Sequence, residues 1–134
     1  MNKDPIKVTA AILSHEGKLL IAKRRSPDFL ANKWEFPGGK IEEGETVEAC
    51  LERELMEEFE IQVSVGDFVG SSTYHYDHIS IELLAFKTLM DSGSITLKEH
   101  SAYKWVTVSQ LPEFEFAPAD IPFVEKLIRR EVEL

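Results

Sequence analysis

Residues 38–61 contain nine glutamates, the densest group of potentially reactive side chains in the sequence. If this segment is helical, Glu54, Glu57 and Glu58 share one face, because they stand at positions i, i+3 and i+4. Carboxylates that share a face repel one another, so a cation is expected among them. Mg²⁺ prefers oxygen ligands and is usually bound by a few carboxylates together with substrate phosphates. The spacing therefore predicts a magnesium site, with Mn²⁺ as a substitute.

A solvated acidic helix face is the alternative, and it is the commoner arrangement in glutamate-rich helices. Here, however, the five glutamates between positions 52 and 60 have only Arg53 near them in sequence. A face that serves solubility would normally include more lysine. Arg53 precedes Glu57 by four residues and is expected to pair with it, which would orient one glutamate and leave the others for metal.

The helix that carries these carboxylates is predicted to run from residue 46 to about residue 59. Most of its residues are strong helix formers, and neither glycine nor proline interrupts them. Thr46 is a suitable N-cap. Leu51, Leu55 and Phe59 recur at i+4 spacing on a neighbouring face, so the acidic cluster should lie at the edge of a buried stripe.

The same segment resembles the Nudix box, the signature of the Nudix hydrolases. The resemblance rests on a series of residues at fixed spacing. These are Gly39, five residues, Glu45, seven residues, Arg53-Glu54-Leu55, one residue, Glu57-Glu58, two residues and Ile61. The one departure is Glu60, where the family usually has a glycine that ends the helix in a left-handed turn. Residues 31–46 are similar to the corresponding segment of MutT-like nucleoside triphosphate pyrophosphohydrolases.

The resemblance implies a metal site and a set of catalytic residues. The metal ligands that it implies are the Gly39 carbonyl, Glu54, Glu57, Glu58 and Glu99. The same four glutamates and Arg53 are the expected catalytic residues. Glu99 would act as ligand or as general base, provided that it reaches the attacking water. His100 is the weaker candidate for that role.

Substrate contacts are expected on both sides of the box. The candidates are Arg24, Lys40, Glu35, Trp34 and Asp120. Lys23, Arg24 and Arg25 form a basic triplet in an acidic chain, which suits phosphate at least as well as solvent, and the resemblance selects Arg24. Trp34 suits the core and a pocket wall about equally.

Asp120 has two readings. It precedes a helix predicted from about residue 122 to 130, and it could simply cap that helix. The surrounding string APADIP is similar to the CTP and modified-dCTP pyrophosphohydrolase branch of the family, which implies that Asp120 faces the base, whereas the 8-oxoguanine branch typically has asparagine. A carboxylate can accept a hydrogen bond from the exocyclic amine of cytosine, and a protonated carboxyl can serve an oxidised purine.

The remaining elements complete one predicted domain over residues 1–134. Strands are expected at residues 6–13, 19–22, 61–65, 68–76, 79–88 and 103–108, with residues 66–67 and 91–94 in loops. Strands, box helix, further strands and a C-terminal helix predict an α/β (α+β) fold with a mixed sheet between helices. The resemblance implies the Nudix α/β/α sandwich.

Composition limits the partners. The net charge of −9 disfavours long nucleic acid but is compatible with a small nucleotide bound with Mg²⁺. No apolar run is long enough for a signal peptide or a membrane span, so we expect a cytoplasmic monomer or homodimer with no membrane partner. The single cysteine, Cys50, excludes an internal disulfide and is expected to be a packing residue.

The predicted reaction is Mg²⁺-dependent hydrolysis of a nucleoside triphosphate to a monophosphate and pyrophosphate, with a CTP-like, dCTP-like or 8-oxo-dGTP substrate, in sanitation of the nucleotide pool. One alternative is a non-catalytic nucleotide-sensing module with the same fold. Such modules tend to lose box carboxylates, and all of them are present here. The other alternative is an RNA 5′ pyrophosphohydrolase, which the acidic charge and the pocket-like residues 117–122 disfavour.

Overall fold

A six-stranded mixed sheet forms the centre of the structure, a computed structural model that describes residues 4–25 and 30–134. The elements are β1 (Ile6–His15), β2 (Lys18–Arg24), β3 (Trp34–Glu35), α1 (Val47–Phe59), β4 (Ile61–His75), β5 (Ser80–Gly93), β6 (His100–Val106), a 3₁₀ helix (Val108–Glu113) and α2 (Ile121–Ile128). The strand order is β3-β2-β1-β5-β4, and β6 also pairs with β2. β1 and β5 are parallel, and the other pairs are antiparallel.

Strand alternation places hydrophobic side chains on both faces of the sheet. In β1, Ala10 and Ile12 pack in a cluster with α2, whereas Ala11 and Leu13 pack in a second cluster with α1. Successive residues of a strand point to opposite faces, so one continuous apolar run can supply both layers. The predicted fold class, a central mixed sheet between helices, is confirmed.

Helix α1 begins and ends where its sequence predicts. The Thr46 hydroxyl accepts a hydrogen bond from the Ala49 backbone N–H at 3.1 Å, and Leu51, Leu55 and Phe59 are fully buried. Cys50 is also fully buried. Glu60 occupies the left-handed position that the family usually gives to glycine, with φ of 58°. Its backbone N–H donates to the carbonyls of residues 55 and 56, which closes the helix end.

Several boundaries differ from the predictions because strand pairing overrides local sequence preferences. Residues 66–67 do not divide two strands but form part of an irregularity within β4. Residues 91–93 were expected in a loop but end β5, where Gly93 pairs with Ile61 and Ser92 with Gln62. Because β4 starts directly after α1, its backbone is available to pair with residues 91–93. The turn-forming residue types of that segment do not indicate this partner. Among the described residues, no helix is long and apolar enough to cross a membrane.

Replacing Glu60 with glycine is expected to raise the free energy of unfolding by about 0.5–1 kcal/mol, because glycine adopts the left-handed conformation without a steric penalty. The ion pair that is lost, Glu60 Oε1 to Lys98 Nζ at 3.6 Å, joins half-exposed side chains and offsets little of this gain. Urea unfolding measures the change. As a control, Glu52→Gly at an exposed site inside α1 should lower the free energy by about 1 kcal/mol. A Glu60→Gly variant less stable than the parent would show that the left-handed conformation of Glu60 is not strained.

Candidate active site

Gly38 and Gly39, the glycine pair at the start of the box, lie between the β1 backbone and helix α1. The Ala11 N–H donates to the Pro37 carbonyl at 2.7 Å, and the Thr9 N–H donates to the Gly39 carbonyl at 2.8 Å. A Cβ atom on Gly38 would lie 2.0 Å from the Thr9 carbonyl oxygen, and one on Gly39 would lie 2.3 Å from Glu54 Cδ. At Gly38 the obstacle is main chain, so only glycine fits. At Gly39 the obstacle is the end of the Glu54 side chain, which a larger residue would displace.

The same hydrogen bonds change the expected backbone ligand for the metal. The Gly39 carbonyl accepts from the Thr9 N–H and also from the Thr9 hydroxyl, at 3.1 Å. It is therefore directed at β1 and already has two donors, which is the capacity of a carbonyl. Among residues 4–25 and 30–134, nothing donates to the Gly38 carbonyl, and Gly38 lines the adjacent cleft. We therefore replace Gly39 with Gly38 as the candidate backbone ligand.

Arg53 orients the acidic face of α1. Its Nε and Nη2 donate to the two carboxylate oxygens of Glu45, at 2.6 and 2.9 Å. Its Nη1 donates to Glu54 Oε1 at 2.9 Å and to Glu57 Oε2 at 3.2 Å. The pairing with Glu57 was predicted, but the shorter, bidentate pairing is with Glu45, which holds the pKa of Glu45 down at about 2. Arg53 does not line the cleft, and its contacts orient three carboxylates of the box.

Glu58 is the most perturbed carboxylate on α1. Its Oε2 is buried and has no hydrogen-bond partner within residues 4–25 and 30–134. Burial raises the pKa of Glu58 to about 9, with further contributions from a hydrogen bond with Glu54 and from the charges of Glu54, Glu35 and Glu99. A divalent cation would bind the open oxygen and reverse this electrostatic penalty.

The donor set fits a hard cation, although the side chains do not form a closed cage. In the described part of the chain, no three acidic, histidine or cysteine side chains are already placed to hold a metal ion among themselves. Glu57 is exposed, and Glu99 is exposed beside the cleft. Mg²⁺ commonly takes only one or two protein carboxylates and completes its shell with water and substrate phosphate oxygens. The unpartnered Glu58 oxygen, in the cleft that Gly38 also lines, matches that pattern.

A cleft of about 630 Å³ brings most of the predicted site residues together. Those that line it are Arg24, Glu35, Gly39, Lys40, Glu57, Glu58, Glu99 and Asp120. Three do not line it: Trp34, Arg53 and Glu54. Glu54 lies behind Glu58 and contacts it. Arg25 also lines the cleft, so a second member of the basic triplet is available to an anionic ligand.

Trp34 is corrected from a substrate contact to a core residue. Its side chain is buried and packs edge-to-face on Phe114, with ring centroids 5.1 Å apart. Because adjacent strand residues point to opposite faces, Glu35 is directed into the cleft and Trp34 into the core. The sequence pattern did not reveal which of the two faces the cleft.

His100, the weaker of the two candidates for the general base, has its side chain buried in the cleft wall. Its Nε2 lies 2.7 Å from Glu35 Oε2, and Arg24 Nη1 donates to Glu35 Oε1 at 2.8 Å. Glu45 was also missing from the predicted site, although it is one of the defining residues of the box. Its spacing from Arg53 was the available signal.

Asp120 does not cap helix α2 through its side chain. Backbone hydrogen bonds tie Trp34 to residues 115 and 117, which brings Asp120 to Phe36. The Phe36 N–H donates to Asp120 Oδ2 at 3.0 Å. Burial, and then the charge of Glu35, raise the pKa of Asp120 well above its usual range. Both effects favour the neutral carboxylic acid, the form that can donate a hydrogen bond, over the carboxylate.

Comparisons with known proteins give a consistent family. The NUDIX domain matches residues 3–127. The chain is 38% identical over 120 residues to the CTP pyrophosphohydrolase of Escherichia coli K12, covering 90% of this chain and 89% of that protein. It is 33% identical over 125 residues to the 8-oxo-dGTP diphosphatase of the same organism, covering 92% and 97%. The crystal structure of the MutT protein from Methanosarcina mazei superposes with a TM-score of 0.86 at 26% identity, covering 99% of both chains.

The raised pKa of Glu58 predicts how stability depends on pH without metal. Between its usual value of 4.5 and the folded value of about 9, the native protein holds a proton that the unfolded chain releases. The free energy of unfolding should therefore fall as pH rises through this window. Glu58→Gln has no proton to lose, so it should be more stable than the parent by about 1–3 kcal/mol at pH 8 and nearly equal to it at pH 4.

Urea unfolding between pH 4 and 9 in EDTA measures this difference. Glu52→Gln, a change at an exposed glutamate of the same helix, is the matched control and should follow the parent at every pH. Parallel curves for the parent and Glu58→Gln would show that Glu58 is not the group responsible.

Proposed function

The chain belongs to the NUDIX family of hydrolases, and from this premise we propose that it cleaves a nucleoside triphosphate into a nucleoside monophosphate and pyrophosphate. The observation that carries the proposal is the buried Oε2 of Glu58, which has no hydrogen-bond partner among the described residues. Glu58 contacts Glu54, and Glu54 in turn lies against Gly39. A carboxylate in that setting is suited to a divalent cation, and the cleft around it contains groups for phosphate and for a base.

The acidic end of the cleft would bind Mg²⁺, with Mn²⁺ as a substitute. The proposed ligands are the Gly38 carbonyl, Glu54, Glu57 and Glu58, and Glu99 takes the other role that the sequence analysis allowed it, that of general base. When bound, the ion neutralises negative charge on the phosphates and on the leaving oxygen. Arg53 holds Glu54 and Glu57 through one oxygen each and leaves their second oxygens uncommitted to it.

Proton transfer is assigned to Glu99. Its side chain is exposed at the cleft, so it can accept a proton from a water molecule. That water attacks one of the two phosphorus atoms of the α–β anhydride. The P–O bond of this anhydride breaks, and the products are the nucleoside monophosphate and pyrophosphate. Lys40, Arg24 and Arg25 line the same cleft and supply positive charge for the phosphates.

The base end of the cleft is assigned to Asp120. Its Oδ2 is held by the Phe36 N–H, and its raised pKa favours the neutral acid, so the other oxygen can donate to an acceptor on the base. Cytosine and 8-oxoguanine both offer such acceptors. The names of the relatives, CTP pyrophosphohydrolase and 8-oxo-dGTP diphosphatase, point to the same two substrate classes. The role that follows is sanitation of the nucleotide pool.

The decisive experiment is pyrophosphate release with Mg²⁺ across a panel of CTP, dCTP, 5-methyl-dCTP, 8-oxo-dGTP and the four standard deoxynucleotides. We expect release from a cytosine or oxidised-guanine nucleotide in preference to the others. No release from any member would favour the nucleotide-sensing alternative. Faster cleavage of triphosphorylated RNA than of free nucleotides would favour the RNA alternative.

Glu57→Gln and Glu58→Gln are each expected to reduce turnover by at least about 100-fold, because each removes a charged metal ligand while keeping the side-chain volume. The thermal midpoint of the parent should rise on addition of Mg²⁺, and the rise should be smaller in both variants. Glu52→Gln should retain both responses. Full activity in Glu58→Gln would remove the metal assignment.

Asp120→Asn tests which protonation state recognises the base. In the variant the amide oxygen can accept from the Phe36 N–H, which leaves the NH₂ group as the donor. If the neutral acid of Asp120 is the donor, kcat/KM for the preferred nucleotide should change by less than about threefold, whereas Asp120→Ala should lower it by about 10–100-fold. An equal loss in both variants would instead indicate a carboxylate that accepts from the base.

A further inference from the structure

His100 connects three segments of the active-site cleft. Its side chain is 6% exposed. The imidazole stacks on Phe59, the last residue of α1, with ring centroids 5.2 Å apart and an interplanar angle of 21°. Its Nε2 lies 2.7 Å from Glu35 of β3, and its own backbone in β6 directly follows Glu99. The imidazole thus contacts the helix that carries the candidate metal ligands and the strand that carries Glu35.

A β-bulge gives His100 this position. Along β2 and β6 the pairing is regular up to Lys23 and Ala102, and then Arg24 pairs with His100 instead of Ser101. Directly paired residues of antiparallel strands have side chains on the same face, so the extra residue brings His100 to the face of Arg24. Both side chains then reach Glu35, one on each carboxylate oxygen.

The hydrogen-bond pattern identifies the donor. A carboxylate oxygen accepts, so the proton of this bond is carried by His100 Nε2. Nδ1 is buried without a partner in the described structure, and an unpartnered acceptor is tolerated better than an unpartnered N–H. The arrangement therefore uses His100 as a single donor aimed at Glu35.

The position of the Glu35 carboxylate affects both ends of the cleft, the acidic end at Glu58 and the base end at Asp120. Its charge contributes to the raised pKa of Glu58 at the acidic end and to that of Asp120 at the base end. It also accepts from Arg24, one of the phosphate-binding candidates. Movement of this carboxylate would remove one of the contacts that orient Arg24 and would change the electrostatics of both ends.

We propose that His100 is a positioning residue for substrate binding, and that its Nε2–H fixes Glu35 and, through Glu35, Arg24. The proposal rests on the proposed function, since the substrate is taken to be a nucleoside triphosphate. His100 need not touch the substrate or take part in proton transfer. It acts by keeping the Arg24 guanidinium directed at the phosphates.

Three substitutions separate this role from simple packing. Gln can place its amide nitrogen near the position of imidazole Nε2, Asn carries its amide one bond closer to the backbone, and Met fills the volume without a donor. We expect His100→Gln to keep KM within about threefold of the parent, and His100→Asn and His100→Met to raise KM by about tenfold or more. Turnover should fall less than KM rises, because the lost contact serves ground-state and transition-state binding alike.

The measurements are KM and kcat for CTP and 8-oxo-dGTP, with the thermal midpoint of each variant. Equal KM values for the Gln and Asn variants at equal thermal midpoints would overturn the proposal, because packing alone does not distinguish the two donors. A loss confined to kcat would overturn it as well.

A readout without turnover separates this proposal from the proposed function. In ¹⁵N-histidine-labelled protein, the His100 Nε2–H should be protected from exchange with water, and Glu35→Met should abolish the protection. An unprotected Nε2–H in the parent overturns the proposal even if the enzyme is active. A protected Nε2–H in a parent that releases no pyrophosphate would overturn the proposed function instead.

Discussion

A carboxylate that is removed from water and surrounded by other carboxylates must either keep a proton or face a cation. Glu58 is in this situation, with a buried open oxygen and three acidic neighbours. The surrounding structure permits it because α1 is anchored independently, through fully buried leucines and Phe59 on its other face. Hydrophobic burial on one side of the helix thus stabilises an electrostatically unfavourable arrangement on the other.

Arg53 and Arg24 each orient a different set of glutamate side chains. Arg53 binds Glu45, Glu54 and Glu57 from outside the cleft, and its contacts leave Glu58 alone. Arg24 lies inside the cleft and binds Glu35. Arginine suits both tasks because its planar fork of donors orients carboxylates while its charge compensates theirs. The carboxylates of α1 and the carboxylate of Glu35 are therefore oriented by separate arginines.

Much of the fold and part of the site were predictable from local patterns. The helix limits, the Thr46 cap and the buried stripe of α1 follow from i+4 spacing and helix-forming residues, and the box resemblance located Glu54, Glu57 and Glu58. The unexpected features depend on distant partners. Residues 91–93 join β5 only because β4 starts beside them, and His100 reaches Glu35 only because of a bulge between β2 and β6. Similarly, the direction of the Gly39 carbonyl depends on Thr9, thirty positions earlier in the chain.

Side chains added at Gly38 and at Gly39 would meet very different obstacles. A side chain on Gly38 would strike the β1 main chain, which cannot move without disturbing the sheet, whereas one on Gly39 would strike only the flexible tip of Glu54. Variation at the first position should therefore be lethal to folding, and variation at the second should yield well-folded but inactive protein. Gly38 is thus required for folding and Gly39 for activity. A screen for soluble expression would detect substitutions of Gly38 but not those of Gly39.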